Sequence, residues 1–232
     1  IDSEIWPNII LNLKKKKIPL TLINGRITKK TFQKWKFISG LSNNIFSKFN
    51  LCLASSKESL KLLKELNANN VKFIGNLKFS QSEKKMPKNS ELKKKFSNKK
   101  IWCASSTHSN EELICGSIHL NLKKKIKNLL TIIIPRHIER SKKIKKDLEK
   151  LSLKVHIEGS KKKLESDTDI YLVNSYGKTK AFFENTNIVF LGGSLINHGG
   201  QNPLEAARFG CNIICGPFNQ NFKEIYEFLE KN

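Results

Sequence analysis

Arginine is almost missing from this chain of 232 residues: it stands at positions 26, 136, 140 and 208 only, so lysine supplies nearly all of the 43 basic side chains. Base edges and paired phosphate oxygens are best read by a planar guanidinium fork. Its scarcity argues against a nucleic-acid reader, in spite of a formal net charge of +23. The lysine runs Lys14 to Lys17, Lys93 to Lys95, Lys123 to Lys125 and Lys161 to Lys163 lie far apart, each beside an expected element end or loop. They read as solvated surface, with attraction to anionic lipid as a secondary consequence.

Other absences narrow the field further. No stretch approaches the roughly 20 apolar residues of a membrane-crossing helix, and no secretory leader opens the chain, so a cytoplasmic protein is expected. The five cysteines form no Cys-x-x-Cys pair, and Cys52, Cys103 and Cys215 sit inside apolar runs, as small buried hydrophobes do in a reducing compartment. No His/Cys/Asp cluster has zinc spacing, and no Asp-x-Asp pair is read as a magnesium site, so no metal is expected.

What is present is an alternation of short β-branched runs with amphipathic stretches, the pattern of βαβ units around a parallel sheet. Strands are expected at Ile18–Asn24, Leu51–Ala54 and Val71–Ile74. Trp35, Ile38, Leu41, Ile45 and Phe46 recur at helical spacing, and Ser55-Ser56-Lys57-Glu58 opens a further helix with a capping box. Residues 81–100, polar and lysine-rich, read as a linker. Six more strands follow at Ile101–Ser105, Leu130–Pro135, Leu153–His156, Asp169–Val173, Ile188–Gly192 and Asn212–Cys215. Six alternating strands make a complete doubly wound domain, and three make half of one. With Trp6-Pro7 opening a helix directly after an abrupt start at Ile1, the expectation is a fragment whose first domain lacks its N-terminal half.

The densest motif runs Gly192-Gly193-Ser194-Leu195-Ile196-Asn197-His198-Gly199-Gly200-Gln201-Asn202-Pro203-Leu204-Glu205-Ala206. An apolar strand ends in two glycines, a second glycine pair follows, and a helix is expected from Pro203. Bare backbone amides beside a helix start suit a phosphate, and Glu205 could accept hydrogen bonds from ribose hydroxyls. The plainer alternative is two tight turns and a capping acid.

This segment resembles the C-terminal signature of the 3-deoxy-D-manno-octulosonic acid (Kdo) transferases, and similar blocks recur in order along the chain. They are Ser3-Glu4-Ile5-Trp6-Pro7-Asn8, Ile23-Asn24-Gly25-Arg26, Gly75-Asn76-Leu77-Lys78-Phe79, Ala104-Ser105-Ser106-Thr107-His108 and Pro135-Arg136-His137-Ile138-Glu139-Arg140. The resemblance implies two Rossmann-like domains in the GT-B arrangement. Residues 1–80 would be the second half of an acceptor domain, 81–100 the linker, and 101–232 the donor-nucleotide domain.

It also implies an inverting, metal-free transfer of Kdo from CMP-Kdo to the lipid A precursor, at the cytoplasmic face of the bacterial inner membrane, without a cofactor or a nucleic-acid partner. The donor side would be held by Ser106, Thr107, His108, Arg136, His137, Gly177, Gly192, Gly193, Ser194, Gly199, Gly200, Asn202 and Glu205. Glu4, Asn24, Arg26, Asn76 and Lys78 would serve the acceptor or the sugar carboxylate, Glu4 also as a supporting acid.

Each has a plainer role beside it. Ser109 with Glu112 reads as a helix capping box, Arg136 pairs as well with Glu139 as with a phosphate, His137 and His198 are more often structural, and Lys78 is one lysine among many. The chain departs from the family where Asn174-Ser175-Tyr176-Gly177-Lys178 replaces an acidic segment, keeping only Gly177. The family's general base belongs to a Gly-Glu motif with no counterpart in these residues, so weak or no catalysis is expected of them alone. Two rivals stay open: a GT-B enzyme using a UDP- or GDP-sugar, and a basic RNA-binding protein with aromatics stacked beside its lysines.

Overall fold

The computed structural model describes residues 5–77, 90–161 and 163–230. Glu4 and Lys78 lie outside them. The chain divides into two units, residues 1–82 and 83–232.

The first unit is built from α1 (Pro7–Lys15), β1 (Thr21–Gly25), α2 (Lys29–Phe37), α3 (Ser39–Phe46), β2 (Leu51–Ala54), α4 (Lys57–Glu65) and β3 (Val71–Phe73). Its three strands are parallel in the order β1-β2-β3. Pro7 occupies the first turn of α1, where its missing N–H costs nothing. The capping box read at Ser55 and Glu58 does not form: Ser55 Oγ donates to the Gly25 carbonyl, and Ser56 caps α4 by accepting from the Ser59 amide at 2.9 Å.

The helical pattern from Trp35 to Phe46 breaks in two at Ile38, whose backbone (φ −109, ψ 51) is not helical. Ser39-Gly40, a weak helix-forming pair, follows it directly. The break turns Phe37, 91% exposed, outward beside Ile38 and Leu41. Ile45, Phe46, Cys52 and Leu63 make the buried centre, onto which Phe32, Trp35 and Phe49 pack. Trp35 meets Phe46 edge-on at 5.3 Å. Those three aromatics therefore belong to a core and are no platform for bases.

The second unit carries α5 (Ser90–Lys95), β4 (Lys100–Thr107), α6 (Glu111–Lys123), β5 (Leu129–Pro135), α7 (Ser141–Glu149), β6 (Val155–Ile157) and β7 (Ile170–Leu172). It continues with α8 (Thr179–Phe183), β8 (Ile188–Leu191), α9 (Leu204–Arg208), β9 (Asn212–Cys215) and α10 (Lys223–Glu230). All six strands are parallel, in the order β6-β7-β5-β4-β8-β9. β5 is buried along its whole length, which is why Leu-Leu-Thr-Ile-Ile-Ile shows no polar alternation.

Part of the stretch read as linker is structured. Residues 90–95 form α5, and Phe96 is buried against Tyr171 with ring centroids 5.2 Å apart. The sparse apolar pair Leu92 and Phe96 is enough to bring this segment onto the sheet.

Four of the five cysteines are buried and Cys215 is half-buried, all as free thiols; burial pushes the Cys115 thiol up to about 12. Among the described residues no helix is long and apolar enough to cross a membrane.

Candidate functional site

β4 connects to β5 on one side of the sheet and β8 to β9 on the other, so the chain leaves these two neighbours in opposite directions. Ligands of open parallel sheets collect at the carboxyl ends of such a pair. Two loops meet there, the turn after β4 and the glycine-rich segment after β8. The β4–β5 register shifts between Ser105 and Thr107, and Ser106 between them takes a left-handed backbone at φ 56.

The glycines let these loops approach each other. Gly192 donates its amide to the Ser105 carbonyl at 2.8 Å. A Cβ on Gly192 would lie 2.5 Å from the Ser106 carbonyl oxygen and 2.7 Å from the Thr107 Cα. Gly199, at φ 97, leaves room for the Asn221 carboxamide, which a Cβ would meet at 2.0 Å. Gly200 donates to the Gly193 carbonyl at 2.8 Å. Ser194, fully buried, accepts from the Gly216 amide at 2.9 Å and donates to the Leu191 carbonyl.

The amides expected to cradle a phosphate are already engaged. Gly193, Ser194 and Leu195 donate to the Glu111 carboxylate at 2.7, 3.1 and 3.0 Å, and His108 donates to it at 2.8 Å. The picture of an empty anion cradle on Gly192, Gly193 and Ser194 is corrected accordingly: the loop does hold an anion, and it is the protein's own side chain.

The start of α9 is different too. It begins at Leu204, one residue later than expected, and has only five residues, so little helix dipole accumulates. The Leu204 amide is taken by Asn202 Oδ1 at 3.1 Å. Glu205 is half-buried in the first turn of α9 and has interactions of its own.

The capping box read at Ser109 and Glu112 does not form, because left-handed Asn110 (φ 75) precedes α6. Glu112 instead accepts from the buried Thr107 hydroxyl at 3.1 Å and from both terminal nitrogens of Arg140, each at 3.1 Å. Thr107 is thus a strut between β4 and α6, with its hydroxyl turned to Glu112.

Four side chains remain directed at this corner. The His108 and His198 rings lie 4.2 Å apart, His137 stands 6.1 Å from His108, and Gln201 Nε2 is 3.5 Å from His108 Nε2. Burial lowers the His108 pKa, with His198, His137 and Arg136 adding to the effect and Glu111 opposing it. The ring is therefore neutral at pH 7, with one nitrogen a donor and the other an acceptor.

Arg136 donates its amide to the Thr107 carbonyl at 3.0 Å and its side chain is exposed. Among the described residues its guanidinium has no hydrogen-bond or ion-pair partner. Glu139, its simplest mate by sequence, accepts from the Tyr176 hydroxyl at 3.0 Å.

The departing segment at 174–178 is organised by an acid from elsewhere. Glu158, just beyond β6, accepts from the Asn174 amide at 3.2 Å, the Ser175 hydroxyl at 2.6 Å and Lys178 Nζ at 3.0 Å. Gly177 lies in this loop at φ 81 with open space around it.

The acids at Asp167-Thr168-Asp169 precede β7, at the amino ends of the strands and so away from this corner. Asp167 pairs with Lys154, and Asp169 with His119 and Lys123. Among the described residues no group of three or more His, Cys, Asp or Glu side chains could hold a metal ion.

In the first unit Asn24 is buried at φ 56, and its Oδ1 accepts from the Leu77 amide at 3.1 Å. The side chain expected to touch an acceptor thus ties the end of β1 to the Gly75-Asn76-Leu77 segment. Arg26 is exposed and Asn76 half-buried, both with interactions of their own.

Sequence reasoning missed Glu111, Gln201 and Glu158, and gave Glu112 the wrong partner. The available signal was Glu111-Glu112 four residues past the end of an apolar strand, an acid pair in a chain otherwise poor in acids.

Residues 1–81 match the family described as 3-deoxy-D-manno-octulosonic-acid transferase (kdotransferase), a span that ends where the first unit ends. A 3-deoxy-D-manno-octulosonic acid transferase of Rickettsia bellii is 35% identical over 94% of this chain. The second unit resembles the crystal structure of the C-terminal CMP-Kdo binding domain of WaaA from Acinetobacter baumannii. The TM-score is 0.55 at 28% identity, over 62% of this chain and 76% of that one. The chain belongs to the Kdo transferase family.

It spans 52% of the Rickettsia bellii protein, about half the length of the curated relatives it matches. Trehalose-6-phosphate synthase OtsA is similar in fold alone, with a TM-score of 0.51 at 10% identity over 95% of this chain and 57% of that one. Both units are Rossmann-like parallel α/β modules, as the GT-B fold requires.

Proposed function

We propose that these residues belong to an enzyme that moves Kdo from CMP-Kdo to the lipid A precursor with inversion, the second unit holding the cytidine nucleotide. The observation that carries this is the exposed Arg136 guanidinium, without a partner among the described residues and close enough to His108 to act on its charge, at the switch point of a sheet similar to a CMP-Kdo binding domain. In this reading an acceptor hydroxyl, deprotonated by a base outside these residues, attacks the anomeric carbon while the bond to the CMP phosphate breaks. Arg136 neutralises the charge that builds on the departing phosphate. His108, His137 and His198 line the same corner, and Asn202 and Glu205, at the start of α9, are the groups assigned to the ribose. No cofactor takes part, and the chemistry asks for no metal.

Calorimetric titration of the 232-residue chain tests the donor. CMP is expected to bind at least about tenfold more tightly than UDP or GDP, a gap of ~1.4 kcal/mol, and EDTA is expected to leave the titration unchanged. Preference for a diphosphate nucleotide, or no affinity for CMP, defeats the assignment.

The lipid side rests on the first unit and supports a location at the cytoplasmic face of the inner membrane. Phe37, Ile38 and Leu41 protrude at the α2–α3 corner with Lys34 and Lys36 beside them, an apolar tip with a basic collar suited to an anionic leaflet. Flotation with vesicles containing anionic lipid is expected to carry the protein, and Phe37→Ser to reduce the bound fraction severalfold. Equal recovery with neutral vesicles sinks the idea.

A further inference from the structure

Four backbone N–H groups from two separate loops converge on the Glu111 carboxylate, whose side chain is fully buried. Three of them, Gly193, Ser194 and Leu195, are consecutive, and successive amides of this kind form a concavity for an anion. Left without a partner in the interior, each would cost a desolvation penalty. In many nucleotide sites that penalty is relieved by the ligand's phosphate. Here a carboxylate at the first position of the 13-residue helix α6 relieves it permanently, and the helix start favours its charge.

We propose that Glu111 is an internal counter-anion that holds the glycine-rich loop and the His108 turn in their ligand-ready form, a positioning residue for the nucleotide site. The inference rests on the donor reading given above and adds to it a division of labour. The loop amides bind Glu111, and the phosphate is left to side chains at the rim, Arg136 foremost. Because Glu111 grips both His108 and the segment that leads to His198, it sets the distance between the two rings. Binding then meets a loop that is already ordered, so little conformational entropy is lost on association. Glu112 braces the same turn from the other side through Thr107 and Arg140.

Amide exchange on the unaltered chain, followed by NMR, tests this without any variant. The amides of His108, Gly193, Ser194 and Leu195 are expected to be strongly protected without ligand and to change little on adding CMP. Amides that exchange freely until CMP arrives would make the loop itself the phosphate cradle and overturn the proposal.

Glu111→Ala is expected to weaken CMP binding by at least about tenfold and to regain part of that loss in formate, a small carboxylate able to fill the vacated space. CMP affinity equal to that of the unaltered chain overturns the proposal, and so does a loss that formate leaves untouched while the loop amides stay protected. If the unaltered chain has no affinity for CMP, the donor reading fails. The exchange of the four amides, and its acceleration in Glu111→Ala, still decides whether Glu111 holds the loop.

Discussion

Arg136→Ala is expected to weaken CMP binding by about 10- to 100-fold, the effect of removing a charged hydrogen-bond partner worth ~1.5–3 kcal/mol. The size follows from its surroundings. The guanidinium stands at the carboxyl end of β5, exposed and with no ion-pair partner among the described residues. Deleting it therefore breaks nothing internal, and the melting temperature should stay within about a degree, as for other surface changes. Arg136→Lys should fall between the two, since an ammonium keeps the charge and loses the two-pronged geometry. Titration calorimetry checks all three forms, and unchanged affinity in Arg136→Ala would place the phosphate elsewhere.

Asp169→Ala is expected to destabilise the second unit by roughly 3 kcal/mol, because it strands partners inside the protein. Its Oδ1 faces His119 Nε2 at 3.2 Å and Lys123 Nζ at 2.5 Å, and its Oδ2 accepts from the Lys154 amide at 3.0 Å. His119 is fully buried and reaches the Thr131 hydroxyl with its other nitrogen at 2.8 Å. Lys123 is half-exposed and screened by water, so most of the loss falls on His119 and the Lys154 amide. A fall of roughly 6–12 °C in the melting temperature would follow for a unit of this size.

The same network fixes a pH dependence. Burial opposes ionisation of Asp169, but Lys123, the Lys154 amide and His119 outweigh it and hold the carboxyl below its ordinary range. Burial likewise lowers the His119 pKa, partly offset by Asp169. Both groups bind protons more readily in the unfolded chain. Their stabilisation is thus complete above the unfolded histidine value of about 6.5. As the pH falls below it the His119 part is lost first, and the Asp169 part goes below about 4. Asp169→Ala should flatten the limb of the stability curve below about pH 4, where the carboxylate's own part is lost, while the His119 part above it persists. A limb there parallel to that of the unaltered chain would rule Asp169 out as its source.

Several residues show how far the chain could be read in one dimension. All nine expected strands form, because runs such as Leu-Leu-Thr-Ile-Ile-Ile have no alternative to burial in a parallel sheet. Helix starts were legible where the signal is local: Pro7 opens α1 as read, and the cap of α4 lies one residue past the one read, at Ser56. Reading failed where the partner is remote. The Glu111 carboxylate meets amides more than eighty residues away, and Glu112 left a local cap for Arg140, 28 positions on. Asn24, read as a ligand contact, turned inward to Leu77. The linker reading missed α5 because two apolar residues in a lysine-rich stretch give little periodic signal, yet one aromatic seat beside Tyr171 holds them.

By itself, then, the order of residues determined the alternating architecture, the family and the corner where Arg136 and His108 gather, since strand propensity, glycine spacing and motif order are properties of neighbours along the chain. Which amides are satisfied from within was decided only in three dimensions. A carboxylate and a peptide N–H recognise each other by distance and burial, and the fold alone decides which of them meet.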